Sequence, residues 1–188
     1  MINSFKRLGS IFRNPGGYFA DPEVSILDGA IVILALFLVT FLQKLVWADP
    51  SAQAIAPLEA LKQAAINSLM VWSLFSVFFF ALGRIFRKGP NLMKICGLVG
   101  AAGIPVVMTT LLSGLSWLAA SFINLRPILA QWLFVQNGLS WLGLALSWTG
   151  LFGYYLLYDG LKVSRVWSIL LTVSAFAILV VGKLLPVG

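Results

Sequence analysis

Apolar positions fall into five long runs along this 188-residue chain, and most of its charge lies outside them. The runs are 26–47, 61–82, 94–120, 138–158 and 166–185. A helix needs roughly 20 apolar residues to cross the ~30 Å hydrocarbon core of a bilayer, and each run is about that long. The pattern therefore predicts an all-α integral membrane protein, a bundle of five transmembrane helices. Residues 1–25 are expected to form a cytoplasmic juxtamembrane arm and 26–188 the transmembrane domain.

Two shorter pieces predict helices that lie in the interface. In 4–13, Phe5, Leu8 and Phe12 recur at i, i+3 and i+7, with Lys6, Arg7 and Arg13 largely off that stripe, as suits an anionic leaflet. The second is 128–136, between Arg126-Pro127 and the break at Asn137-Gly138. Asn14-Pro15-Gly16-Gly17 is expected to stop the first piece. Asp21 and Pro22 then read as the N-cap and first residue of the next helix.

Composition supports the membrane reading. Hydrophobic residues make up 60% of the chain and charged residues 10%, against about a quarter charged in soluble domains. Mean hydropathy is +0.97. The run behind Lys6, Arg7 and Arg13 is too long for a cleaved leader and lacks a small-residue cleavage site. It is expected to remain as a signal anchor.

Charge sets the threading. Nine of the thirteen basic residues fall on one side of the five runs: Lys6, Arg7, Arg13, Arg84, Arg87, Lys88, Lys94, Lys162 and Arg165. The other four, Lys44, Lys62, Arg126 and Lys183, fall opposite. The positive-inside rule then places the N-terminus in the cytoplasm and the C-terminus outside. The net charge of +7 reads as topology and lipid-headgroup contact rather than nucleic-acid binding. Compact size and one cysteine favour a prokaryotic inner membrane.

Reactive chemistry is sparse. The chain has no histidine and a single cysteine, Cys96, which excludes an internal disulfide and the usual haem and zinc ligand sets. Its acids, Asp21, Glu23, Asp28, Asp49, Glu59 and Asp159, lie in loops or at run edges. No catalytic, cofactor-binding or metal-binding residue is expected, and the protein reads as a non-enzyme. Asp28 and Asp159 are expected to pair with Arg84, Arg165 or Lys162. Asn67, Ser68, Ser73 and Ser76 are expected to hydrogen-bond to neighbouring helices or to their own turn. Gly97, Gly100 and Ala101 offer a small-residue face for close helix packing or a partner. Pro105 is expected to kink the third helix.

Several local features carry a resemblance. Ile11-Phe12-Arg13-Asn14-Pro15 precedes the first run, a basic Gly83…Lys88-Gly89 turn leads to the run containing Pro105, and Tyr158-Asp159-Gly160-Leu161-Lys162-Val163-Ser164 enters the fifth. Together they resemble the Yip domain family of Ypt/Rab-interacting membrane proteins, in its compact prokaryotic form. The resemblance implies five crossings with a cytosolic N-terminus. It also implies a scaffold or interaction role among membrane lipids and other integral membrane proteins. The chain lacks the long N-terminal region and the Asp-Leu-Tyr-Gly-Pro type signature of eukaryotic members, so Rab-type GTPase binding is not carried over. An accessory subunit of a larger membrane complex and a small transporter built on the broken third helix stay open beside it.

Overall fold

A computed structural model describes residues 2–46, 56–86, 89, 91–122 and 150–184, and all regular structure among them is helical. The helices are α1 (Ile2–Ser10), α2 (Pro15–Ala20), α3 (Ile26–Val46), α4 (Pro57–Ala65), α5 (Val71–Ile85), α6 (Leu92–Ala102), α7 (Ile104–Phe122), α8 (150–155) and α9 (Arg165–Leu184). A π-turn, Ile66–Met70, joins α4 to α5, and a second, Leu156–Gly160, ends α8.

Three helical stretches among the described residues are long and apolar enough to cross a membrane: Ile26–Leu45, Pro57–Ile85 and Leu92–Leu112. Helix α9 carries a shorter apolar stretch, Arg165–Ser174. The expected interfacial helix 128–136 lies outside the described residues, as does most of the expected crossing 138–158.

Helix starts differ from the sequence expectation in an instructive way. Asn14 does not simply end α1. Its side chain accepts the Gly17 N–H at 2.9 Å, and Pro15 opens α2. Asp21 does not cap α3. It accepts the Glu23 N–H at 2.8 Å in a turn, and α3 begins at Ile26. The carboxylate that serves α3 is Asp28, which accepts the Ser25 N–H at 3.1 Å. That is half of a capping box, supplied from inside the first turn.

The third span is interrupted at Gly103, between α6 and α7. Helix α6 starts under Asn91, which accepts the Met93 N–H at 2.9 Å, and stops at Gly103, whose N–H bonds the Gly100 carbonyl. Pro105 is the second residue of α7 and is fully buried. Proline has no N–H, so the carbonyl of Ala101 loses its helical donor. Gly103 absorbs the resulting interruption.

The first 25 residues share the core of the bundle. Ile11 and Phe19 are fully buried and pack in one cluster with Ile95, Leu98, Leu156 and Val163. Phe19 meets Phe152 edge-on at 5.7 Å. The expected Phe5–Leu8–Phe12 stripe is split by this packing. Leu8 faces the core with Ser4 and Ile11, whereas Phe5 and Phe12 are exposed. The i, i+3, i+4, i+7 set that meets the protein is thus Ser4, Arg7, Leu8 and Ile11. At the other end of α3, Lys44 Nζ donates to Gln63 Oε1 at 2.8 Å, and Gln63 donates on to Glu59 at 3.2 Å.

Candidate functional site

Helix α3 packs on α6 more extensively than any other pair, through three glycines. A methyl group on Gly29 would stand 2.5 Å from the Cys96 carbonyl oxygen. One on Gly97 would strike the Ser25 carbonyl, and one on Gly100 would strike the backbone of Gly29. The gap between the backbones is therefore too small for any Cβ. Ala101 is buried beside them. Gly97, Gly100 and Ala101 thus lie inside the bundle, and Gly29 is the partner that sequence reasoning missed. The signal was present: Gly29-Ala30 are the first small residues of an otherwise bulky run. Trp72 locks α5 to the same place, its indole N–H donating to the Cys96 carbonyl at 2.8 Å.

The basic positions do not form one group. Arg7 bridges α1 to the start of α3, with Nε 3.3 Å and Nη2 3.2 Å from the two Asp28 oxygens, and it also reaches Glu23 at 3.5 Å. Asp28 is 0% exposed, so this is a buried carboxylate held by a forked guanidinium. The expected partners Arg84, Arg165 and Lys162 are not used. Arg7 precedes the run by too many residues for spacing to reveal the pair, because the turn 21–25 folds α1 back over α3. Hydrogen bonding to Asp28 holds the Arg7 guanidinium above its ordinary pKa. Asp159 takes part in none of the ion pairs among the described residues.

Lys6 and Arg13 are exposed, beside the exposed Phe5 and Phe12. Arg84 lies over the Phe80 ring, 5.1 Å from its centre. Lys162 and Arg165 are exposed at the entry to α9, and Lys162 takes a left-handed backbone, φ 55°. Arg87 and Lys88 lie outside the described residues.

Tyr18 is buried under this end, and its hydroxyl has no hydrogen-bond partner. Burial, aided by the nearby Asp28 charge, pushes its pKa well above the ordinary value.

A cavity of about 290 Å³ lies between α3, α5, α8, α9 and the α6–α7 break. Its wall is almost wholly apolar, with Trp72, Phe75 and Phe79 on one side and Val99, Leu157 and Leu171 on others. Ser68 and Thr172 also line it, and neither hydroxyl has a partner. This departs from the expectation that Ser68 and Ser76 would be hydrogen-bonded, since Ser76 is unpartnered too. No cluster of three or more metal-ligating side chains occurs among the described residues.

No family model matches this chain, and neither a curated protein nor a solved structure matches it.

Proposed function

We propose that this chain is a non-enzymatic, five-crossing integral membrane protein of the Yip-like kind. It acts as a scaffold or interaction protein with its N-terminal end on the cytoplasmic leaflet. The observation that carries this reading is the way the first helix is presented. Arg7 fastens α1 to Asp28 and Leu8 buries it, which leaves Phe5, Lys6, Phe12 and Arg13 facing outward. Aromatic rings flanked by fixed positive charge are the composition that enters an anionic headgroup layer.

Spin labels at positions 5 and 12 test it in nanodiscs containing phosphatidylglycerol. Expected is a collision rate with lipid-soluble oxygen well above that with an aqueous nickel chelate, lowered when Lys6 and Arg13 are both changed to Glu. Labels that see only the aqueous quencher would contradict the reading.

One feature favours the accessory-subunit alternative. The apolar window of Pro57–Ile85 is only 11% buried, against 56% for Leu92–Leu112. Leu69, Met70, Leu74, Phe75, Val77 and Phe78 on that helix are exposed, an apolar face open to lipid or to another protein's helices. Co-migration with a defined partner through mild detergent and native electrophoresis would favour a subunit, and migration alone would favour the scaffold.

A further inference from the structure

Two lysines from different elements line one small space. The π-turn Leu156–Gly160 lies down on α6, and Gly160 allows the close fit, because a Cβ there would stand 3.0 Å from Leu98 Cδ1. A cavity of about 120 Å³ is left between this turn and the start of α6. Leu98 and Leu161 give it an apolar floor, and its polar side chains are Asn91, Lys94 and Lys162. What these three present is donors. The lysines are ammonium groups, and Asn91 already uses its side-chain oxygen to accept the Met93 N–H.

Neither lysine is neutralised. Lys94 is half-buried, yet among the described residues neither it nor Lys162 takes part in an ion pair or a side-chain hydrogen bond. The Lys162 charge bears directly on Lys94, and Asp21 acts on Lys94 without pairing with it. Lys162 is also fixed in place. Leu161 and Val163 on either side are buried, and their N–H groups bond the carbonyls of Leu156 at 2.8 Å and Leu157 at 2.9 Å. Between them Lys162 takes φ 55°, a left-handed conformation that glycine or asparagine adopts more readily. Strain of this kind, held by the structure on both sides, clusters at binding sites.

We infer that this cavity binds a phosphate group, with Lys94 and Lys162 closing on it from two elements and the Asn91 amide as a third donor. In the membrane that phosphate belongs to an anionic phospholipid. Lys94 stands in the first turn of the membrane-length stretch Leu92–Leu112, at headgroup level, where a basic pocket between helices suits such a lipid. The phosphate site stands without the scaffold reading, and its lipid source rests on the membrane placement alone.

The full chain in a neutral detergent is titrated with dioctanoyl phosphatidylglycerol, with dioctanoylglycerol, which lacks the phosphate, and with inorganic phosphate. Native mass spectrometry counts the lipids retained. Expected is one phosphatidylglycerol bound at least tenfold more tightly than dioctanoylglycerol. Lys94→Gln with Lys162→Gln should weaken it at least tenfold. Lys62→Gln with Arg165→Gln, which removes the same charge from exposed positions outside the cavity, should leave it unchanged. Lys162→Gly should also weaken binding while the melting temperature holds or rises, since glycine relieves the left-handed backbone. No preference for phosphatidylglycerol, or equal loss in the two glutamine pairs, would overturn the site. Displacement by inorganic phosphate as effective as by the lipid itself would overturn the lipid source and assign the site to free phosphate.

Discussion

Gly100, the Arg7–Asp28 pair and Tyr18 carry the sharpest consequences. Gly100 has no room for a side chain against Gly29. Gly100→Ala should lower stability by about 1–3 kcal/mol, the range for overpacking, and Gly100→Leu by more. Thermal unfolding in detergent measures both. Asp28 is buried and bound by Arg7. Removing one partner of a buried pair costs about 3–5 kcal/mol, so Asp28→Ala and Arg7→Met should each destabilise strongly, and the double change by much less than their sum. The raised pKa of Arg7 keeps its charge and its contribution complete across the neutral range, with no pH dependence there. Tyr18 behaves differently. Its pKa in the fold is raised from the ordinary 10.0, so its contribution is full below that value and is lost as pH climbs beyond it, where the unfolded chain ionises first. Tyr18→Phe should remove that alkaline loss. It should also cost nothing at pH 7, or add about 1 kcal/mol, because the hydroxyl is unpartnered. Melting curves at pH 7 and pH 10.5 check both halves.

At the scale of elements, apolar run length locates the three membrane-length helices among the described residues and misjudges their ends. Run length and hydropathy are local properties, so Ile26–Val46 and the start of α9 were legible. What local pattern does not contain is which face the fold buries. The Phe5–Leu8–Phe12 stripe was read by hydrophobicity alone, yet the Arg7–Asp28 bond rotates α1 so that Ser4 and Ile11 turn inward. The Gly97–Gly100 face was legible because small residues admit close backbones. Its partner Gly29 is marked in the sequence by its size alone, and setting the two helices side by side assigns it to that face. Cross-helix hydrogen bonding gives a further expectation. Trp72→Phe removes the bond to the Cys96 carbonyl and should cost about 1 kcal/mol, loosening α5 on α6. A lowered melting temperature with an unchanged helical circular dichroism spectrum is the expected readout.

For the whole molecule, the shape of the arm-bearing end and the threading by charge make one connected account. The helical core ties the first 25 residues to α6, α8 and the π-turn Leu156–Gly160. Positions 6 and 58 then mark opposite ends of the predicted first crossing, and both are exposed. In a Cys96→Ala background, Lys6→Cys and Leu58→Cys variants in the membrane of intact bacterial cells are treated with a membrane-impermeant maleimide. The account predicts immediate labelling of the cysteine at 58, and labelling of the one at 6 only after the membrane is opened. Labelling of position 6 in intact cells, or release of the protein from membranes by alkaline carbonate without detergent, would contradict it.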